Sequence, residues 1–161
     1  MKKILIKPDE MAVSAEQVVL ESLAVGSSIV VCLFDEKKKI GGMVHTLFPI
    51  RLAKESVAND RLRYVDTAIK VLYQEMVHLG AVPGNIKAKL AGGAKIFCFG
   101  GLGGQPDIGK DNVSCAREQL QELGVPILSE DTGENHGRSV HFYVNDGKLE
   151  IETVNRARYW I

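Results

Sequence analysis

The sequence predicts a layered α/β or α+β domain, and three observations support this fold class. Residues 29–34 form an apolar run without polar alternation, which is typical of a β-strand that is covered on both faces. Two later segments carry apolar residues at helical spacing, so they can supply the covering layer. A length of 161 residues suits one domain with a single sizeable core. We therefore expect a single domain spanning residues 1–161.

The residues with nucleophile-type and base chemistry fall on one predicted β-hairpin near the start of the chain. Ser28 precedes the apolar strand, and His45 lies on the segment that returns beside it. With a two-residue turn at 36–37, Asp35 pairs with Lys38, and Ser28 lies opposite His45 on the same face. This register brings a small nucleophile-type side chain next to an imidazole base.

The register depends on the length of that turn. A one-residue slip, as a longer loop over residues 35–39 would cause, places the two side chains on opposite faces. A bulge would restore the phase, and Gly41-Gly42 is a suitable place for one, because glycine tolerates bulge geometry.

Two helices follow, and each is defined by an apolar stripe and by its end signals. The first begins near Asp60 and ends at Gly80, with Pro83 beyond it, and the second ends at Gly124, with Pro126 following. The stripe residues are Leu62, Val65, Ile69, Leu72, Met76 and Leu79 in the first helix, and Val113, Ala116, Leu120 and Leu123 in the second.

The remaining apolar segments are short and predict β-strands. They occupy residues 86–90, 96–99, 125–128 and 140–144. Leu149 and Ile151 alternate with two glutamates after an Asn-Asp-Gly turn, so the last hairpin is predicted to have one face in water. The glycine-rich segment 100–106 predicts a mobile loop, and the polar segment 130–138 suits either a binding loop or a connector.

Composition limits the classes of partner. The chain has 20 basic and 20 acidic residues, so its total charge provides no long-range attraction to nucleic acid or to an anionic membrane. A protein or a small molecule is the favoured partner.

The basic start is followed by only three apolar residues, too few for an export signal, and no later apolar run is long enough to cross a bilayer.

The cysteines indicate a reducing compartment. Cys32, Cys98 and Cys115 are odd in number and lack the spacing of a disulfide framework. Reduced, buried thiols in the cytoplasm are the simplest interpretation.

Two other site types are disfavoured by their residues. Residues 104–110 have the glycine and lysine spacing of a phosphate-binding loop, but Asp111 stands where a nucleotide loop needs a Ser or Thr hydroxyl. A helix start capped by Asp107 or Asp111 explains this segment better.

Among the four histidines, the gap of five between His136 and His141 is not a one-face spacing, so we expect no metal site and no other cofactor. His78 lies off the helix stripe and is expected to be solvated.

Six short motifs occur in order along most of the chain. They are SLAVGSS at 22–28, VCLFD at 31–35, GGMVHTLFP at 41–49, AGGA at 91–94, IGKDN at 108–112 and DTG at 131–133. Together they closely resemble the chemoreceptor glutamine deamidase family, called CheD, and the set is far more specific than one short pattern. The resemblance implies an α/β (α+β) fold, a single-domain layered sandwich of mixed β-sheet covered by two main helices.

The resemblance also implies a function in bacterial or archaeal chemotaxis. Members of the family hydrolyse the side-chain amides of receptor glutamines to glutamate and release ammonia. The implied partners are methyl-accepting chemoreceptors, as substrates, and a CheC-type phosphatase. The implied location is the cytoplasm.

The site residues follow from the same resemblance. In this family a cysteine attacks the glutamine amide, a histidine activates the cysteine and protonates the departing ammonia, and a threonine completes the site. By position, His45 matches the histidine, Ser28 stands where the cysteine belongs, and Ser22 stands where the threonine belongs. Ala24 replaces a usual glycine. The implied catalytic residues are therefore Ser28, His45 and Ser22.

Ser28 changes the expected chemistry. A thiol paired with histidine can be a thiolate near neutral pH, whereas a hydroxyl must lose its proton during the attack. We therefore expect turnover to be lower by orders of magnitude. Cys32 is no substitute, because it lies four residues along the same strand, at roughly 13 Å for a normal strand rise.

Three origins of Ser28 remain open at this point. The chain is an engineered inactive form of a working deamidase, a natural relative that kept binding and lost catalysis, or a working serine hydrolase. The third needs backbone N–H donors near Ser28 and a group that orients His45. The sequence places no acidic residue behind His45 for that purpose.

Overall fold

The computed structural model describes residues 1–50, 60–96, 107–155 and 157–161, which contain ten strands and two helices. The strands are β1 (Lys2–Leu5), β2 (Glu10–Ser14), β3 (Val18–Val25), β4 (Ile29–Asp35), β5 (Ile40–Thr46), β6 (Ile86–Gly92), β7 (Ile127–Thr132), β8 (Arg138–Tyr143), β9 (Lys148–Thr153) and β10 (Arg158–Trp160). The helices are α1 (Val65–Leu79) and α2 (Ile108–Glu122).

The strands form two five-stranded sheets. Sheet A has the order β1-β3-β8-β9-β10, and sheet B has the order β2-β5-β4-β6-β7. Each sheet is mixed, because β1 and β3 pair in parallel in sheet A, as do β6 and β7 in sheet B, while the other pairs are antiparallel. Two mixed sheets with two helices confirm the predicted layered α+β fold.

Strand β4 lies at the centre of sheet B, and all seven of its residues are buried. Its side chains alternate between two apolar clusters, one shared with the helices and one shared with sheet A. The prediction of a strand covered on both faces is therefore confirmed. The helix-side residues are Ile29, Val31 and Leu33, and the residues between the sheets are Val30, Cys32 and Phe34.

Helix α1 ends where the sequence predicts and begins later than predicted. Gly80 closes it with a φ of 118°, a left-handed conformation that glycine adopts without a steric cost. At the other end, Tyr64 is extended, and Val65 N donates to Phe48 O at 2.8 Å, so the helix cannot begin near Asp60. Leu79, predicted on the apolar stripe, is 45% exposed.

Helix α2 begins with the predicted aspartate cap. The Asp107 carboxylate accepts a hydrogen bond from Lys110 N, which satisfies one of the free N–H groups of the first turn. Lys110 is therefore a residue of the first helical turn. Residues 104–106 of the phosphate-loop pattern lie outside the described residues.

Several of the later strands are present as predicted, but they begin and end at different residues. Strand β7 runs two residues later at its start and four residues further at its end than predicted, so residues 130–132 belong to a strand. Leu149 and Ile151 are buried while Glu150 and Glu152 are partly exposed, as predicted for β9. Ile96 has no strand conformation. The rest of the predicted strand at 96–99, the glycine-rich loop and Cys98 lie outside the described residues.

Strands β1, β2, β3 and β10 have no counterpart in the sequence-based interpretation. The hairpin between β4 and β5 also differs from the prediction. Its loop has four residues rather than two, and Asp35 pairs with Ile40 rather than with Lys38. His45 therefore lies opposite Val30, not opposite Ser28. Because the register differs by two residues, one full side-chain repeat, Ser28 still lies on the same face as His45, as its diagonal neighbour.

Gly41 and Gly42 form no bulge, because both residues are paired in regular register with β2 and with β4. Their missing side chains serve packing instead. A Cβ at Gly41 would lie 2.9 Å from the Phe142 ring, and one at Gly42 would lie 2.9 Å from the Leu72 side chain. Sheet A and α1 can therefore approach β5 closely from its two sides.

A bulge does occur on β3. The pairing with β8 shifts between Ser22 and Val25, so that Leu23 and Ala24 together lie opposite Ser139. The extra residue turns both Ser22 and Val25 towards the interior, where each is 0% exposed. Ala24 has a φ of 55° in this bulge, a left-handed conformation that is unfavourable for alanine. Glycine, which the resemblance implies for this position, adopts this conformation without the steric cost.

Replacing Ala24 with glycine should stabilise the protein. Relief of the left-handed strain is worth about 1 to 2 kcal/mol, and the added freedom of the unfolded glycine chain offsets about 0.4 to 1 kcal/mol of it. We expect a net gain in unfolding free energy of about 0.5 to 1 kcal/mol, measured by urea denaturation. Alanine-to-glycine substitution at Ala68, inside α1, is the control and should destabilise the protein. A loss of stability for Ala24→Gly would contradict the bulge geometry.

Candidate active site

Ser28, His45 and Ser22 meet between the two sheets, at one end of the sandwich. Ser28 Oγ lies 2.6 Å from His45 Nε2, and Ser22 Oγ lies 3.0 Å from His45 Nδ1. Ser28 precedes β4 and His45 belongs to β5, both on the sheet B side, while Ser22 is on β3 of sheet A. The three residues that the sequence singles out are thus in direct contact.

The hydrogen bonds determine which nitrogen of His45 carries the proton. The single hydroxyl hydrogen of Ser22 is donated to Ile6 O, because a carbonyl oxygen can only accept. Ser22 Oγ must then accept from Nδ1–H of His45. Nε2 is consequently the unprotonated nitrogen and accepts from the Ser28 hydroxyl. This is the tautomer that a general base acting on Ser28 requires.

Ser22 and Ile6 O perform the orienting task for which the sequence offers no acidic residue. A neutral hydroxyl and a carbonyl hold the ring in place without a negative charge behind it. They therefore stabilise an imidazolium less than a carboxylate would.

Burial keeps His45 neutral. The residue is 2% exposed, and desolvation lowers its pKa from the ordinary 6.5 to about 4, while a contact with the Ile6 carbonyl acts in the opposite direction. At neutral pH the ring is a free base. Ser28 is 7% exposed and Ser22 is 0% exposed, so the Ser28 hydroxyl is the member of the group nearest the surface.

The depressed pKa of His45 predicts a loss of stability in acid. The folded pKa lies below the unfolded one, so the unfolded state takes up the proton first as the pH falls below 6.5. The stability present above pH 6.5 is lost progressively down to about pH 4, by about 3 kcal/mol at 1.36 kcal/mol per pH unit. Denaturation curves of the chain and of His45→Gln at both pH values measure this difference. An equal acid dependence in the two proteins would contradict it.

The backbone around Ser28 is fixed by two glycines of the AGGA motif. Gly93 N donates to Ser28 O at 2.8 Å. Gly92 has a φ of 113°, and a Cβ at this position would lie 2.4 Å from Ser28 O. No other residue type fits there without moving Ser28, so the motif is explained by a close approach of two backbones.

Sequence reasoning missed two buried polar residues near this end of the sandwich. Asn112, 0% exposed, donates through Nδ2 to Ser27 O at 2.8 Å and to Leu47 O at 3.0 Å. Asn112 belongs to IGKDN, one of the motifs that carry the family resemblance, and this membership was the available signal that the residue matters. The contacts themselves join segments far apart in sequence.

The second residue is Arg138, which is 1% exposed and crosses from sheet A to sheet B. Its guanidinium donates to Gly133 O at 3.0 Å, lies 3.5 Å from Gly92 O, and pairs with Asp131 at 3.4 Å. Asp131 also accepts a hydrogen bond from the Tyr159 hydroxyl. This cluster fixes the glycine segment that contacts Ser28.

The other candidate residues lie apart from this site. His78 is exposed, as predicted, and His141 pairs with Glu21 on sheet A. Cys32 is fully buried, and desolvation raises the pKa of its thiol far above the usual range. Burial raises the pKa of Cys115 to about 11. Across the four described ranges, no three His, Cys, Asp or Glu side chains are arranged to hold a metal ion.

Neither helix in the described part of the chain combines the length and the hydropathy needed to span a bilayer.

Comparisons with known proteins give a consistent picture. A family described as CheD chemotactic sensory transduction matches residues 47–153. A relative from Clostridium novyi, named probable chemoreceptor glutamine deamidase CheD, is 42% identical over 135 residues, or 84% of this chain and 83% of that protein. Chemoreceptor glutamine deamidase CheD of Halalkalibacterium halodurans is 35% identical over 138 residues, or 86% and 85%.

A third relative extends the similarity across the candidate site. Chemoreceptor glutamine deamidase CheD of Thermotoga maritima is 36% identical over 154 residues, or 96% of this chain and 93% of that protein. The family match begins at residue 47, after His45. An alignment that covers 96% of the chain must nevertheless include positions 22–45.

Proposed function

Because this chain belongs to the chemoreceptor glutamine deamidase family CheD, we propose that it binds the side-chain amide of a chemoreceptor glutamine beside Ser28 and His45. The observation that carries the proposal is the contact of 2.6 Å between Ser28 Oγ and the unprotonated Nε2 of His45. A nucleophile and a base at this distance are the minimum for attack on an amide carbon.

The reaction in this proposal has two stages. Ser28 Oγ attacks the amide carbon and its proton passes to Nε2 of His45, after which the C–N bond breaks and ammonia leaves with that proton. Water, deprotonated by the same nitrogen, then hydrolyses the ester to glutamate and restores the Ser28 hydroxyl. Ser22 keeps Nδ1 protonated throughout, so that Nε2 remains the nitrogen that exchanges protons.

Ser28 makes the first stage slow. The hydroxyl must be deprotonated during the attack, and the base available for this has its pKa lowered to about 4 by burial, so it is a weak acceptor. We therefore propose that this chain, with serine at the nucleophile position, is strongly impaired in turnover.

Binding without catalysis is the second candidate function. Serine and cysteine differ little in size, so the position of Ser28 beside His45 would still suit an amide side chain. In this role the chain is an adaptor for chemoreceptor helices or for a CheC-type phosphatase, in the cytoplasm. The buried, unpaired thiols of Cys32 and Cys115 suit that compartment.

A receptor assay separates the two functions. A chemoreceptor fragment is incubated with the chain and, in parallel, with Ser28→Cys, and tryptic peptides are searched for a gain of one dalton at glutamine. Deamidation by Ser28→Cys alone supports a deamidase site disabled by Ser28. No deamidation by either protein, with binding of the fragment retained, supports the adaptor. Comparable activity of both would contradict the impairment ascribed to Ser28.

A further inference from the structure

The hydrogen-bond ladder between β4 and β5 ends just before the candidate site. Its last pair is Ile29 and Thr46, so pairing between β4 and β5 does not extend to the backbone next to Ser28 and beyond Thr46. Beyond this last pair, the side chain of Asn112 on α2 connects the two segments. Its Nδ2 donates one hydrogen to Ser27 O at 2.8 Å and the other to Leu47 O at 3.0 Å. One side-chain amide thus bridges the two chains immediately beyond the ladder.

The surroundings of Asn112 show that its amide nitrogen is the important group. The residue is 0% exposed, and its Oδ1 has no hydrogen-bond partner among the described residues. An unpartnered buried carbonyl lowers stability, so the Oδ1 end of the side chain offsets part of what the two donated hydrogen bonds contribute. The two N–H groups satisfy two carbonyls from segments that lie 85 and 65 residues away in sequence.

We propose that Asn112 is a positioning residue for the reaction at Ser28. It fixes the main chain one residue before Ser28 and two residues after His45, and so it sets the distance between Ser28 Oγ and His45 Nε2. The proposal rests on the proposed function for its meaning in catalysis. Its geometric core, the spacing of the side chains at 28 and 45, can be measured without any substrate.

Such a bridge matters because a nucleophile and its base act only within hydrogen-bond reach. A displacement of about 1 Å can lower a rate by about 100-fold. Without the amide, each end keeps its own anchor, Ser28 O to Gly93 N and Leu47 N to Arg63 O, but the described residues supply no other side-chain link between the two ends. The buried cores that hold β4 and β5 further along remain intact.

The test uses Ser28→Cys as the parent, because its thiol reports on the neighbouring imidazole. Two variants are made in this parent, Asn112→Ala and Asn112→Asp, the second of which replaces the donor nitrogen with an oxygen that repels both carbonyls. Gln119→Glu is the matched control for the second variant. Gln119 lies seven residues further along α2, and among the described residues its side chain makes no hydrogen bond to β4 or β5.

The first measurement is the pH dependence of alkylation at position 28 by iodoacetamide, followed on the peptide that contains this residue. A cysteine paired with histidine reacts at a lower pH than a free one, whose pKa is about 8.5. We expect the pH midpoint of alkylation to lie well below 8.5 in the parent and in Gln119→Glu. In both Asn112 variants we expect this midpoint to move towards 8.5. A loss of global stability without loss of positioning would leave this midpoint unchanged.

The second measurement is deamidation of a receptor fragment. We expect the Asn112 variants to lower kcat by about 10- to 100-fold, with KM within about threefold of the parent. Unchanged midpoints and unchanged kcat in folded Asn112 variants would overturn the proposal. If Asn112→Ala does not fold, Asn112→Ser, which keeps one donor, is measured instead. Failure of every Asn112 variant to fold would also overturn the proposal, since the residue would then be needed for folding.

The same data separate this inference from the proposed function. A low midpoint in the parent without any deamidation counts against the proposed function alone, and the Asn112 midpoints then decide the inference. A parent midpoint near 8.5 would show that His45 does not activate the residue at position 28 and would overturn both.

Discussion

Replacing Ser28 with cysteine should raise the rate of receptor deamidation by at least about 100-fold. A general base contributes about 10²- to 10⁴-fold to such a proton transfer, and His45 can provide this gain with a thiol, whose pKa is far lower than that of a hydroxyl. The upper limit is about 10⁶-fold, the loss seen when a nucleophile is removed altogether. The rate is measured as ammonia release per enzyme, with the one-dalton gain as confirmation.

The neighbouring residue provides the control for this substitution. Ser27→Cys introduces the same thiol one residue earlier, at an exposed position, and should leave the rate unchanged. His45→Gln in the Ser28→Cys protein should remove most of the gain. A rate increase with Ser27→Cys, or one that persists without His45, would show that the thiol acts outside the site described here.

Replacing Asp131 with asparagine should lower the unfolding free energy by about 3 kcal/mol. The substitution removes the carboxylate that faces the fully buried Arg138 guanidinium, and an uncompensated buried charge costs about 3 to 5 kcal/mol. The lower end applies because the Asp131 side chain is 19% exposed, so water screens part of the pair. Urea denaturation near neutral pH measures the change.

Glu130→Gln is the control, because it makes the same chemical change one residue earlier on β7. The partner of Glu130 is Arg117, whose side chain is 53% exposed, so this loss should stay within about 1 kcal/mol. Similar losses for the two variants would indicate that Arg138 is compensated by the Gly92 and Gly133 carbonyls rather than by Asp131.

Local patterns in the sequence were sufficient for some features of the fold. The end of α1 at Gly80 and the cap at Asp107 depend on residues within one helical turn, and both were predictable. The shared face of Ser28 and His45 was predicted from a two-residue turn that the structure does not have, and it is kept because the four-residue loop shifts the register by an even number of residues. The deamidase family was recognisable from six ordered motifs.

Features set by distant contacts were not predictable. The hairpin loop has four residues because the Asp35 carboxylate accepts from Lys38 N at 3.1 Å within the loop and from Val82 N at 2.8 Å, which comes from beyond α1. The start of α1 is set by Phe48, and the clamp of Asn112 joins three separate segments. No periodicity in the sequence carries information of this kind.

The division of the proposed catalytic group between the two sheets has a consequence for how this protein can change. Ser28 and His45 move with one sheet, whereas Ser22 and Ile6, which orient the ring, move with the other. A small slide of one layer over the other would therefore misalign the imidazole even if no residue near it were altered. Substitutions in the apolar interface between the sheets, such as at Met43 or Phe142, should therefore change the reaction rate as well as the stability, so that an evolving lineage must vary these two properties together.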